Sequence, residues 1–183
     1  IVTPGAGGGG RRVTPNVPFG SDPFGSLPAG QSAYVKQTVD RKTVYAGQQI
    51  TYTFAFLQCE QLFGEVQYSP ADTPGFVAEE LPNPPNSTET IGGRTYSVQR
   101  RMKALFATSP GKHIIGQASV AVTMDPMLGS EDLVADPVGV QVLPLPTAGR
   151  PAKFSGAVGS FAVRLRVDRQ AVRAGETLNC VVE

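Results

Sequence analysis

Val39-Asp40-Arg41-Lys42-Thr43-Val44-Tyr45-Ala46-Gly47-Gln48 returns 128 positions later (167 − 39) as Val167-Asp168-Arg169-Gln170-Ala171-Val172-Arg173-Ala174-Gly175-Glu176. Val, Asp, Arg, Val, Ala and Gly keep their places in both copies. Each copy follows an alternating apolar stretch, Val35 to Val39 in the first and Phe161, Val163, Leu165 and Val167 in the second. Each then runs into another such stretch, from Ile50 or from Leu178. The chemistry is that of a turn between strands. An Asp side chain bonds nearby backbone and opens the turn, Val44 or Val172 supplies a short apolar contact, and Gly allows the bend into the next strand. Two copies of one strand–turn–strand unit at a fixed spacing predict tandem building blocks of one fold.

The segments between the copies carry the same period. In Ile50-Thr51-Tyr52-Thr53-Phe54-Ala55-Phe56 the large apolar residues fall at every second position, as one face of a half-buried strand requires. Thr95 to Phe106 predicts a second strand with Tyr96, Val98, Met102, Ala104 and Phe106 toward the core. Ile91-Gly92-Gly93-Arg94 before it is a hairpin turn signal. After the turn Ser109-Pro110-Gly111-Lys112, the residues Ile114, Gly116, Ala118, Val120, Val122 and Met124 alternate with His113, Gln117, Ser119 and Thr123. Val138, Val140 and Val142 predict a further strand, and Glu65 to Ser69 a short one. No window of a dozen residues carries a helical period.

Short alternating strands separated by turns predict an all-β fold: an immunoglobulin-like antiparallel β-sandwich, followed by the first strands of a second, truncated β-sandwich. Residues 33–143 have room for the complete sandwich, whereas residues 161–183 hold about two of its roughly seven strands. Between them, residues 144–160 are a Pro/Gly-rich joint, and Pro144-Leu145-Pro146 through Pro151 reads as a stiff spacer. Residues 1–32 read as a Gly/Pro-rich flexible linker, with the run Gly7-Gly8-Gly9-Gly10 and too little apolar surface to offset the entropy of ordering. No strand precedes that run and no Lys-Ser/Thr follows it, which argues against a phosphate loop.

Composition narrows the function. Sixteen Lys and Arg against fifteen Asp and Glu leave a net charge of +1, which removes whole-protein attraction to nucleic acid or to anionic membrane. Twenty-one Gly and sixteen Pro, about a fifth of the chain, disfavour a helical bundle. No apolar run approaches the roughly 20 residues of a spanning helix. One His and two Cys (Cys59 and Cys180) supply neither a zinc site nor a disulfide framework, and both thiols read as small buried hydrophobes. The chain opens at Ile1 without a Met, which suggests residues upstream.

Catalytic, cofactor and metal residues are expected to be none. His113 lies beside a turn, facing away from the apolar side, with no nucleophile or carboxylate spaced to serve it. Gly156-Ala157-Val158-Gly159-Ser160 lacks the Gly-x-Ser-x-Gly order of a nucleophile elbow. Asn86-Ser87-Thr88 matches a glycosylation acceptor, relevant only in a host that glycosylates. The region to watch is the irregular connection from Leu62 to Pro85, because recognition on a sandwich resides in loops. Phe63, Tyr68 and Phe76 there are either core residues of a capping loop or exposed anchors for a partner. Glu79 and Glu80, with Glu60, Glu65 and Asp72, concentrate acid beside them. Arg100 shares the parity of Tyr96 and Val98. It reads either as a stem snorkelling from a strand edge or as half of a buried pair that fixes register. Arg100, Arg101 and Lys103 form a basic strip without interleaved aromatics, a poor nucleic-acid surface.

Several strings resemble one family: Leu62-Phe63-Gly64, Tyr68-Ser69-Pro70, Pro74-Gly75-Phe76, Glu79-Glu80-Leu81-Pro82 and Arg101-Met102-Lys103-Ala104-Leu105-Phe106-Ala107-Thr108. The most specific is Val142-Leu143-Pro144-Leu145-Pro146 with Gly149-Arg150-Pro151-Ala152-Lys153-Phe154-Ser155-Gly156-Ala157-Val158-Gly159. Over Tyr34 to Glu183 the chain resembles the bacterial BatD (oxygen-tolerance) proteins. The resemblance implies tandem immunoglobulin-like domains on the periplasmic side of the cytoplasmic membrane, anchored by a segment outside this chain. It also implies an operon shared with von Willebrand A-type Bat proteins and a MoxR-type ATPase, and no catalytic activity. The expected function is thus a non-enzymatic periplasmic interaction or scaffold module that docks to those Bat proteins through Phe63, Tyr68, Phe76, Glu79, Glu80, Arg100 and Arg101. A carboxylate from the acidic group would complete the shell of a Mg²⁺ held by the partner, a hard cation that takes oxygen ligands. The alternative is a tandem-sandwich cell-surface adhesin or spacer that binds carbohydrate or matrix.

Overall fold

The computed structural model describes residues 31–182 apart from Leu128 and Pro151. The linker expected over residues 1–32 lies, except for Gln31 and Ser32, outside the described residues. Thirteen strands follow one another, with no helix among the described residues. They are β1 (Ala33–Val39), β2 (Thr43–Tyr45), β3 (Gln49–Gln58), β4 (Phe63–Ser69), β5 (Phe76–Glu80), β6 (Ser87–Ile91) and β7 (Arg94–Ala107). Then come β8 (Gly111–Ile115), β9 (Ser119–Asp125), β10 (Gly129–Val134), β11 (Val138–Leu143), β12 (Leu165–Val167) and β13 (Cys180–Val182). The predicted immunoglobulin-like β-sandwich is present.

One layer is the sheet β1-β3-β7-β5, with β6 continuing along the edge of β7 that β5 also uses. The facing layer has two patches, β10-β9-β4 and β2-β11-β8, and in the second of them β2 runs parallel to β11. Between the layers lie Ile50, Tyr52, Phe54 and Phe56 of β3, Leu105 and Ala107 of β7, and Ile115, Val120, Val122, Val138, Val140 and Val142 opposite. The expected inward sets of β3 and β11 are therefore in place. The Gly92-Gly93 turn joins β6 to β7, both glycines at positive φ, as the favoured two-residue hairpin requires.

Two strands differ in phase from the sequence reading. In β7, Tyr96 and Val98 pack on the outer face of the sheet, in a second apolar cluster with Tyr34, Ala55 and Leu57. The β7 side chains that enter the sandwich core are Leu105 and Ala107. Both faces of this sheet are covered near β3, so alternation alone does not tell inside from outside. The predicted run from Ile114 to Met124 is broken between β8 and β9, and the break inverts its first half: Ile115 is buried and Ile114 exposed. The cause is a bend. Gly116 donates its N–H to the Asp72 carbonyl (2.7 Å), outside the ladder, and the strand resumes at Ser119 in another patch.

The returning chain breaks at the same level, between β10 and β11, with Ala135 N–H bonded to the Ala118 carbonyl at 2.8 Å. Two strands that bend together free carbonyls inside an apolar core. Gln37 of β1, buried among those groups, accounts for them. Its Nε2 donates to the Gly116 and Asp136 carbonyls, each at 2.7 Å, and its Oε1 accepts from the Tyr52 hydroxyl at 2.7 Å. One amide thus ties the first layer to both sides of the bend.

The sequence repeat is also a repeat of bonds. Thr51 N–H donates to Asp40 Oδ1 at 2.8 Å, and 128 residues on (179 − 51) Asn179 N–H donates to Asp168 Oδ1 at 3.3 Å. Tyr45 N–H donates to Gln48 Oε1 and Arg173 N–H to Glu176 Oε2, both at 3.1 Å. Pairing register matches too: Val39 faces Tyr52 across β1 and β3, and Val167 faces Cys180 across β12 and β13. In the second copy Val163, Leu165, Leu178 and Val182 are exposed, and Val172 is open where Val44 is buried.

Gln37→Ala leaves two carbonyls and a hydroxyl unpaired in the core, so it should lower unfolding free energy by roughly 2–5 kcal/mol in urea denaturation. Tyr52→Phe removes the hydroxyl but leaves both carbonyls paired with Gln37, and should cost about 1 kcal/mol. Equal losses from the two would show that Gln37 does not hold the bend.

Candidate interaction surface

The irregular connection from Leu62 to Pro85 contains two edge strands. β4 closes one side of its patch, with a register shift between Phe63 and Gln67. Residues 70–75 then cross to the other layer and deliver β5 to the edge of β7. The prolines sit where no ladder donor is needed, Pro70 and Pro74 in the crossover and Pro82, Pro84 and Pro85 between β5 and β6. In that second gap Leu81 N–H bonds the Met102 carbonyl at 3.1 Å. The Asn83 side chain accepts from Met102 N–H at 3.0 Å, replacing a strand carbonyl.

The three aromatics separate. Phe63 pairs with Thr123 and stands about half exposed on the outer side of its patch. Tyr68 turns inward against Phe54, ring centroids 4.8 Å apart, and Phe76 packs against the core. Of the three, Phe63 alone is an open anchor.

The charged candidates divide between the two faces of the first sheet. Strand alternation sends Glu79 outward with Ala104 and Glu80 inward with Lys103. Glu80 pairs with Lys103 Nζ at 2.9 Å, while the Arg101 guanidinium lies 4.8 Å above the Tyr68 ring, a cation–π contact. These charged groups line the flank of the sandwich between β4 and β7, with Lys103 half-buried and Glu80 and Arg101 exposed. Burial pushes the Tyr68 phenol up, and Lys103 and Arg101 pull against it.

On the outer face Arg100 forms an ion pair with Glu89 and donates to Ser87 Oγ at 2.8 Å. Of its two readings, the pair with one acidic residue is the one realised, across the β6–β7 hairpin. Beyond it the rings of Tyr34 and Tyr96 stand 5.4 Å apart over Leu57 and Val98, and the Tyr96 hydroxyl donates to the Gln31 carbonyl at 3.0 Å. A hydrogen bond with Tyr34, together with burial, pushes the Tyr96 phenol up to about 12. Burial pushes Tyr52 up as well. Gln37 and Glu89 are not singled out by the sequence, and Lys103 is read there only as part of a basic strip. For Glu89 a signal existed, since the two-residue turn fixes it opposite Tyr96, on the face of Arg100.

His113 faces inward at the edge of β8, opposite to the sequence expectation. Its ring meets Phe76 edge-on at 5.3 Å, and Nε2 donates to the Ser109 carbonyl at 2.8 Å. A Cβ on Gly75 would lie 2.4 Å from its Nδ1. The imidazole is a wedge between the crossover and β8. Cys59 is half-buried and Cys180 exposed, both free thiols, so the buried reading fails for Cys180. Among the described residues no three His, Cys, Asp or Glu side chains gather as a metal site, and no helix is long and apolar enough to cross a membrane.

No family model matches the chain, and no curated protein matches it.

Unfolded tyrosine ionises near 10.0, whereas folded Tyr96 holds its proton until about 12. The folded state therefore binds more protons across that window, and stability falls as pH rises through it. Tyr96→Phe should flatten this alkaline loss in denaturation series run from pH 9 to 12; an unchanged slope would remove Tyr96 from the effect. Gly75→Ala should destabilise the fold, and His113→Ala in the same chain should recover part of the loss, read as a double-mutant cycle in melting temperature.

Proposed function

We propose that the chain is a non-enzymatic interaction module of a BatD-like protein, working on the periplasmic side of the cytoplasmic membrane. Its partner is a von Willebrand A-type Bat protein in a system driven by a MoxR-type ATPase, and its anchor lies in a segment outside this chain. The observation that carries this reading is the long string from Val142 to Gly159, which resembles that family. The disposition of the candidate residues fits it: Phe63 and Glu79 are offered to solvent, whereas His113 is engaged as a packing wedge.

In this mechanism an exposed carboxylate on an edge strand reaches the partner's Mg²⁺ as an oxygen ligand, and Phe63 buries its ring against the surrounding surface. Glu79 and Glu80 have unequal parts. Both are exposed, but Glu79 lies on the outer face of the strand, while Glu80 lies on the inner one and is paired with Lys103.

Crosslinking in membranes that contain the Bat proteins tests the partner. Glu79→Gln should weaken capture by ten-fold or more, roughly the worth of one charged contact, and chelation of Mg²⁺ should do the same. Glu80→Gln should leave capture within about two-fold. Capture that ignores both Glu79 and chelation would refute the carboxylate contact; no capture at all would refute the partner.

A further inference from the structure

The joint between the two copies returns to the sandwich it leaves. β11 ends at Leu143, which pairs with Tyr45 and accepts the Ala46 N–H at 3.0 Å. Downstream, Val158 forms a parallel bridge with Gln48. Departure and return are thus both fixed on the one corner, Tyr45-Ala46-Gly47-Gln48, that joins β2 to β3. The corner is itself rigidly held, because Gly47 N–H donates to the Ala107 carbonyl at the end of β7 (3.0 Å).

Gly47 is the seat. At φ 79° it takes a conformation that side chains rarely adopt. A Cβ there would lie 3.7 Å from Val158 Cγ2 and 3.8 Å from the Gly156 carbonyl oxygen, so the returning chain runs in contact over the bare corner. Within the loop, Arg150 N–H bonds the Thr147 carbonyl at 3.4 Å and the Arg150 guanidinium stacks 4.7 Å from the Phe154 ring, which gives the segment contacts of its own. Only Gly159 and Ser160 then separate the seat from Phe161, where the second copy begins. The equivalent corner at Gly175 has the same positive φ and nothing within 4 Å of a Cβ position.

We propose that the repeated Ala-Gly corner is a coupling device: in the first copy it clamps the joint through Val158, so that the second copy is carried at a fixed orientation and not on a free tether. This inference does not depend on the identity of any partner. A spacer held at one end transmits little orientation, whereas a loop anchored at both ends leaves two residues of play.

The test is a distance distribution between spin labels at Thr88→Cys and Gln170→Cys, both exposed sites, in the full chain carrying Cys59→Ser and Cys180→Ser. The native joint should give one narrow distribution, and Val158→Asp should at least double its width without lowering the melting temperature of the first sandwich. Trypsin should also cut after Lys153 roughly ten-fold faster in Val158→Asp, as a released segment does. A native distribution as wide as the variant's would overturn the proposal, as would a Lys153 cleavage rate that the substitution leaves unchanged.

Discussion

A single buried amide allows the facing layer of this sandwich to bend. The second layer is in essence one long hairpin, up through β8 and β9 and back through β10 and β11, interrupted at matched points on both arms. Carbonyls freed at such points are costly inside an apolar core. Gln37 has two donors and one acceptor aimed where the bend needs them, and Tyr52 completes the set. The bend is what lets β9 pair with β4 while β11 pairs with β2. It therefore places Tyr68 over Arg101 and brings the crossover beneath His113. The candidate surface inherits its shape from that amide.

The first sheet has a different character. Near β3 it is covered on both sides, by the sandwich core within and by the pair Tyr34 and Tyr96 without. Most antiparallel sheets leave one face to water, and their alternation identifies the inside at once. Here Ala55, Phe56 and Leu57 are consecutive buried residues. Such a strand gains stability from two clusters, and the charged residues of its neighbour β7 must find partners on both faces. Arg100 with Glu89 on one side and Lys103 with Glu80 on the other are those partners.

How much could be read in advance follows from these features. The strands β1, β3, β7, β9 and β11, the β6–β7 hairpin and the turn repeat were legible because each rests on local chemistry (period two, a Gly-Gly turn, an Asp that bonds its own turn), whereas β5 and β10 were not. The face of β7 was not, since both of its residue sets contain apolar members. The phase of Ile114 and Ile115 was lost at Gly116, where a tertiary bond to Asp72 displaces the ladder. Gln37 sits in an apolar stripe between Val35 and Val39, and nothing local distinguishes a core staple from an edge position. Glu79 and Glu80 looked like one acidic site because adjacency in sequence was read as adjacency in space, which a strand denies. In the second copy Leu165 and Cys180 stand at the positions of Gln37 and Tyr52, so the polar staple belongs to the first copy alone.

The long strand β7 is flanked on its open side by two short strands laid end to end, with Pro82, Pro84 and Pro85 in the gap and Asn83 covering the amide exposed there. An approaching chain in search of a template meets five residues of β5, an interruption in which three of six residues are prolines without an N–H, then five residues of β6. Neither stretch is long enough to seed an extended intermolecular ladder. The fold's longest strand, fourteen residues with apolar groups on both faces, is thereby kept from becoming a nucleus for fibres.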